Sequence, residues 1–387
     1  MAIRVERLKS KPRFVYNFKV ANFDEVRSNL ATADFGDVYN ASDVNLAWEA
    51  FCKTFVAVLD LFIPKVRIKD ATAPAWIDSD VRHLQNKKHT AWRRAKNSNL
   101  PHHWATFRKL RNKYKNLLAA KYTSYISSLG TMVGDNPKRF WSFFRSKTQT
   151  KSLPKVIHSG NNTASTPRDK AEMFNKYFFS VFSQPKIIQQ LPHITVSQHQ
   201  LLGGIEVTEE DVLEILTNLD VSKAIGPDGI SPRVLKECAH QIVSPLCHIF
   251  NTSLRTGILP ADWSKANVVP VFKKSDKQQV ENYRPVSLLC VCGKVMERAI
   301  FNIVFPVIKD QLYHLQHGFV KGRSTTTQLL AVFHEISSVL DSAGQVDMIY
   351  LDFSKAFDSV SHKLLVHKLQ SFGFHSDLLN SVVQCLS

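Results

Sequence analysis

Between Val81 and Lys151 the chain carries 17 lysines and arginines and a single acid, Asp135. Such a stretch folds only if its charges stay in water and its apolar residues gather on one side. The segment "HWATFRKLRNKYKNLLAAKYTSYISSLG" meets that condition at helical period. Trp104, Phe107, Leu110, Tyr114, Leu117, Leu118, Tyr122, Tyr125 and Leu129 form one stripe, and Arg108, Lys109, Arg111, Lys113 and Lys115 fall mostly off it. The pattern predicts a long helix with one face for a core and one cationic face, closed by Gly130 as a C-terminal cap. A charged helix face is often simply solvated. Here the balancing acids are missing, and the block holds nearly all of the chain's net charge of +17. Clustered positive charge is the electrostatic footprint of a phosphate-backbone binder.

The 387 residues allow two or three domains with ample core. No apolar run approaches the roughly 20 residues that span a bilayer, and "MAIRVERLKSKPRF" lacks the apolar stretch of a secretory signal. The expectation is an intracellular protein with no membrane partner. Cysteines at 52, 238, 247, 290, 292 and 385 form no C-x-x-C pair and no zinc spacing with histidine, so reduced, mostly buried thiols are expected.

Ahead of the basic block, Trp48, Phe51, Cys52, Phe55, Leu59 and Phe62 recur at three- and four-residue spacing, a helix stopped by Pro64. Residues 146–204 are polar and turn-rich, a connector interrupted by a short aromatic helix around Met173 to Phe182. A new domain opens at "TEEDVLEILTNL", with Thr208 as N-cap and Asp211 completing a capping box. Helices follow at about 233–254, 293–309 and 325–340, with a buried strand "ANVVPVF", a strand "VDMIYLDF", and a last helix from about Ser354. Mixed helices and short strands suggest an α/β or an α+β fold, with α+β the expected class. The domain reading is a mainly helical basic region over 1–150, a connector over 151–204 and a third domain over 205–387.

Asp352 lies near the carboxyl end of the "DMIYLDF" strand, where a rigid scaffold can hold a carboxylate as a hard ligand for Mg²⁺. On this stretch alone, capping the next helix is an equal alternative. Asp358, a turn further on, reads as a structural hydrogen-bond or ion-pair partner, and Phe357 as either a core ring or a neighbour of whatever the metal holds. Upstream, Gly226, Pro227, Asp228 and Gly229 make a tight turn. Lys273 and Lys274 end an apolar strand, and Arg284 is fixed just before Pro285. Gly318, Lys321, Gly322 and Arg323 form a loop before a helix that starts at Ser324 and Thr325. No phosphate-binding P-loop is present.

In this order the blocks "KAIGPDGIS", "VVPVFKK", "NYRPVSLL", "QHGFVKGRST" and "YLDFSKAFDSVSH" resemble the reverse transcriptases of non-LTR, LINE-like retrotransposons of the jockey and CR1 type. The segment "IPKVRIKDATAPAWIDSDVRHLQNKKHTAWRRAK" is similar to the stretch between endonuclease and polymerase in such elements. The resemblance implies a right-hand polymerase, here fingers and a partial palm preceded by the basic region. It implies RNA-templated DNA synthesis with deoxynucleoside triphosphates, an RNA template, a DNA primer or target, and Mg²⁺. Asp352 would be the first catalytic, metal-binding aspartate and Phe357 the gate against a ribose 2′-hydroxyl. Lys273 or Lys274 and Arg284 would hold the incoming triphosphate. Gly318, Phe319, Gly322 and Arg323 would lie on the template side, as would the Gly226–Gly229 turn. The compartment implied is a cytoplasmic ribonucleoprotein and the nucleus.

The family pattern also needs an aromatic-Ala-Asp-Asp hairpin some tens of residues after the first aspartate. No Asp-Asp pair occurs in the chain, which ends 35 residues past Asp352. The expectation is therefore an internal piece of such a polymerase, inactive alone, because two metal ions need several anionic ligands. A non-catalytic nucleic-acid-binding remnant is the alternative. A metal-dependent phosphatase built on the Asp352/Asp358 spacing finds no further machinery in the chain.

Overall fold

The structure is a computed structural model that describes residues 14–67, 74, 76–131, 137–148, 153–181, 204–353, 356, 360–374 and 376–386. The chain divides into two compact units, residues 1–15 with 66–155, and residues 16–65 with 156–387.

The basic unit is built on a helical hairpin. Asp78 caps the helix Ser79–Ser98 by accepting from the Val81 amide, and Asn99 ends it in the left-handed region, at φ 50°. Pro101 then opens the 31-residue helix Pro101–Thr131, a position where its missing N–H costs nothing. Val81, Leu84 and Ala95 of the first helix are buried, but only Leu129 of the second. The expected core stripe is therefore half-exposed along most of its length, because a narrow and equally basic helix is its main cover. The helix also runs through Gly130 to Thr131 rather than closing on the glycine. Near its end Trp76 packs on Tyr122 and Tyr125, at ring-centroid distances of 5.0 and 5.5 Å.

The second unit holds the main core. Asp43 caps the helix Val44–Phe62, whose Trp48, Phe51, Phe55 and Leu59 are all buried on one face. Trp48 meets Trp263 edge-on at 5.2 Å, and Trp263 meets Phe250 of the helix Ala239–Thr256 at 5.7 Å. Residues 16–65, expected with the basic region, thus share a core with residues 207–304. A stripe of four large side chains needs an apolar partner, and the basic helices offer too little. The capping box of Thr208 and Asp211 opens the helix Glu209–Thr217 as the sequence suggests. The expected helix at 233–254 breaks at Cys238 into Pro232–Glu237 and Ala239–Thr256.

A smaller core gathers Ile157, Ala164, Phe174, Val280 and Tyr283. It is made by the hairpin Ile157–Ser159 with Asn162–Ala164 and by the helix Pro167–Val181. Part of the expected connector is therefore ordered packing, while residues 182–203 lie outside the described residues.

Strand Ala266–Phe272 pairs antiparallel with Tyr283–Leu289, Val271 opposite Arg284 and Pro270 opposite Pro285. The sequence suggested a buried strand, yet Val268, Val269 and Val271 are exposed. A two-stranded ribbon leaves its faces open unless something covers them. The helix Val291–Ile308 follows and is firmly buried. The helix Thr325–Asp341, opened by a capping box of Ser324 and Thr327, buries nothing. The expected strand "VDMIYLDF" does not form, and residues 345–353 carry no regular structure. A strand exists only with a hydrogen-bonded neighbour, and none of the described residues pairs with it. The expected start of the last helix, at about Ser354, lies outside the described residues, and a helix runs over His362–Ser371. The architecture is mixed helix and sheet, in keeping with α+β.

Candidate nucleotide and nucleic-acid site

Strand pairing decides which cations can act together. Cross-strand partners point to one face of a sheet, and every second residue shares that face. With Val271 opposite Arg284, the position two beyond Val271 is Lys273, so Lys273 and Arg284 lie on the same face of the ribbon. The ladder reaches that far, because the Lys273 amide donates to the Asn282 carbonyl at 2.8 Å. Lys274 lies past the end of the ladder, at a turn where Ser275 takes φ 71°. Lys273, Lys274 and Arg284 are exposed, and none has an ion pair among the described residues.

The ribbon's two ends are anchored differently. At its turn, Asn282 Nδ2 donates to the Asp276 carbonyl at 2.8 Å, and the Tyr283 hydroxyl donates to the Lys277 carbonyl at 2.7 Å. Tyr283 also packs edge-on against Phe174 at 5.0 Å, which ties the turn to the smaller core. At the other end, the Gly226–Gly229 turn rests directly on the chain. A Cβ on Gly226 would sit 2.6 Å from the Leu289 carbonyl oxygen and 2.7 Å from the Cys290 nitrogen, so only glycine fits without displacement. Gly229 takes φ 74°, a second position that favours glycine. The Cys290 thiol donates to Asp228 Oδ2 at 2.7 Å, and the Ile230 amide donates to its other oxygen at 3.3 Å. Burial pushes the Asp228 carboxyl up, against the opposing pull of these two donors. The turn therefore clamps the strand that carries Arg284. The paired glycines of the sequence marked this turn, but not its contact with Cys290.

The loop from Gln316 to Arg323 is stapled from within. Arg323 Nη1 donates to the carbonyls of His314 and Gln316, the latter at 2.9 Å. Gly322 takes φ 82° and Phe319 φ 63°, unusual for a residue with a side chain. Gln316 donates to the Gly318 carbonyl at 3.0 Å. Phe319 is exposed. Arg323 is thus engaged in holding the loop, not aimed outward as a lone cation.

Asp352 is exposed and stands in the strandless segment. Among the described residues no group of three or more His, Cys, Asp or Glu side chains is placed to hold a metal ion. A pair of Mg²⁺ ions needs several converging oxygens at about 2.0–2.1 Å, more than the described residues place around Asp352. Phe357 and Asp358 lie outside the described residues. The strand register puts Lys273 and Arg284 on one face, and among the described residues Asp352 stands in no cluster of metal-ligating side chains.

Residues 272–386 match the family of reverse transcriptases (RNA-dependent DNA polymerases). The RNA-directed DNA polymerase from the mobile element jockey of Drosophila funebris is 28% identical over 236 residues, 59% of this chain and 26% of that protein. Its Drosophila melanogaster counterpart is 24% identical over 345 residues, 86% of this chain and 38% of that protein. A putative 115 kDa protein of the type-1 retrotransposable element R1DM of Drosophila melanogaster is 32% identical over 182 residues, 46% of this chain and 17% of that protein. Over residues 272–386 the chain is reverse transcriptase in family, and the relatives it resembles belong to non-LTR retrotransposons. It spans 38% or less of the length of each of these relatives. The matched part starts at Phe272, so it takes in Lys273, Arg284, the stapled loop and Asp352, and leaves the basic unit outside.

Proposed function

We propose that the chain supplies the fingers and the first part of the palm of an RNA-directed DNA polymerase. The exposed cation pair Lys273 and Arg284, on one face of an anchored ribbon, carries this reading. Two uncompensated cations at ribbon spacing suit a triphosphate, with Arg contributing planar bidentate contacts and Lys a point charge. Phosphoryl transfer depends mainly on positioning and charge neutralisation, and the Gly226–Gly229 clamp supplies positioning. Lys273 takes the triphosphate role in preference to Lys274, because the strand register puts Lys273 on the Arg284 face and Lys274 lies past the end of the ladder. Gly318, Phe319 and Gly322 shape the template-side loop, and Arg323 maintains it. Phe357 stands as the sugar gate and Asp352 as the first catalytic aspartate once further carboxylates join it to hold Mg²⁺. The 1–150 basic region, the connector over 151–204 and the polymerase part over 205–387 remain the functional division, with the packing of residues 16–65 and 157–181 as its structural qualification. The partners are an RNA template, a DNA primer or target and deoxynucleoside triphosphates, in a cytoplasmic ribonucleoprotein and the nucleus. Among the described residues no helix is long and apolar enough to cross a membrane.

A second reading, a nucleic-acid-binding protein without catalysis, draws on the basic unit. There Lys121 pairs with Asp78 at 2.6 Å and with Asp80 at 3.7 Å. The other cations of the hairpin have no ion pair among the described residues. Photocrosslinking of a radiolabelled deoxynucleoside triphosphate separates the readings. Labelling should fall about tenfold in Arg284→Gln and in Lys273→Gln, the loss of one charge-assisted contact, and little in Lys274→Gln. Equal labelling of all three variants refutes the assignment.

A further inference from the structure

Between the two helices of the basic hairpin lies a groove of about 420 Å³, lined on one side by His83, Lys87 and Arg94 and on the other by His103 and Thr106. Positions 83, 87, 90 and 94 recur at spacings of four, three and four, and 103, 106 and 110 at three and four, so each helix offers one continuous edge to the groove. Arg108, Arg111 and Lys115 follow the same period along the other edge of the long helix. The hairpin therefore has two cationic edges, and the groove lies along the first.

The chemistry of the groove edge is more than positive charge. Ser98 Oγ donates to the Arg94 carbonyl at 2.9 Å, so toward His103 it acts as acceptor of a hydrogen bond from Nδ1–H. That fixes the tautomer of neutral His103 and leaves Nε2 with a lone pair. Burial, His102 and Arg94 all hold the His103 ring below the usual histidine range, which favours this neutral form. Thr106 Oγ1 donates its proton to the His102 carbonyl and keeps acceptor capacity. A bare phosphate needs donors alone. Cations interleaved with acceptors suit a ligand that presents phosphate oxygens together with hydroxyl or amino donors, as a ribonucleotide does through its 2′-hydroxyl and base.

We propose that this groove is a binding site for single-stranded RNA, with Lys87 and Arg94 on separate phosphates of one strand and His103 and Thr106 accepting from ribose or base. Lys87 and Arg94 are seven residues apart, about 10 Å along the helix, a span that phosphates of an extended strand can bridge. A groove of this size takes a splayed nucleotide, which a paired helix does not present. The site lies outside the matched polymerase residues. It rests on the nucleic-acid reading of the basic unit and not on the triphosphate reading of the ribbon.

The test compares charge-matched variants of the whole chain for binding of a labelled single-stranded RNA at roughly 0.15 M salt. Lys87→Gln with Arg94→Gln should weaken binding about tenfold or more, and Arg108→Gln with Arg111→Gln about threefold or less, because each pair removes the same charge. A duplex RNA of equal length should bind the native chain at least about tenfold more weakly. Ala91→Gln, which narrows the groove without changing charge, should weaken single-strand binding if the double variant loses helix content. Equal losses from both edges, a larger loss from the second edge, a preference for duplex, or no RNA binding by the native chain each overturn the proposal. Nucleotide crosslinking to the ribbon is read separately, so the two proposals fail independently.

Discussion

The helices Val291–Ile308 and Thr325–Asp341 are nearly equal in length, 18 and 17 residues, and both have an apolar side. The first buries Val291, Cys292, Val295, Met296, Ala299 and Val304. The second buries none, and its Leu330 and Phe333 are 65% and 61% exposed. The difference continues beyond them. The first is preceded by the clamp at Cys290, where Asp228 and Gly226 make close contacts. The second leads to Ile349, Tyr350, Leu351 and Phe353, each more than four-fifths exposed around Asp352. Period alone makes an amphipathic helix. Burial requires a facing surface, and the described residues supply one for the first helix and none for the second.

Truncating matched aromatics gives the sharpest break in this comparison. Phe250→Ala removes a ring that is 0% exposed in the main core, and a loss of about 3–5 kcal/mol in urea unfolding is expected. Phe333→Ala should change stability by no more than about 0.5 kcal/mol. A comparable loss from both would mean that the second helix has a packing partner.

A smaller effect sharpens the buried side. The folded-state pKa of Asp228 is raised, chiefly by burial, so its neutral form fits the fold better than its charged form. Its contribution to stability is full below the unfolded value of about 3.9 and is lost as pH rises through the folded value. Asp228→Asn should therefore gain stability relative to the native chain between acid and neutral pH. A native-minus-variant difference that is flat with pH, or that grows toward neutrality, contradicts the burial argument.

Much of this was legible in the residues. Capping and period gave the helix Glu209–Thr217 at Thr208, the helix Val44–Phe62 and the long basic helix, because those signals are local. The tight turn at Gly226 and the cation-bearing strand at Lys273 were likewise marked by residue type. Tertiary facts were not. The β-formers of "VDMIYLDF" predict a strand but cannot name its partner, and without one they lie open. Val268 to Val271 read as buried for the same reason. The groove between His83, Lys87 and His103 depends on how two helices align, and the Asp228–Cys290 contact joins residues 62 positions apart. The choice of Lys273 over Lys274 needed the strand register.

Among the described residues Asp352 is exposed and has no set of companion ligands, and the prediction is that this chain does not extend a primer by itself. Primer extension by the purified chain on an RNA template, with Mg²⁺ and all four deoxynucleoside triphosphates, tests it directly. The expected result is no synthesis above that of Asp352→Asn. Mg²⁺-dependent DNA synthesis by the native chain that Asp352→Asn abolishes would contradict it.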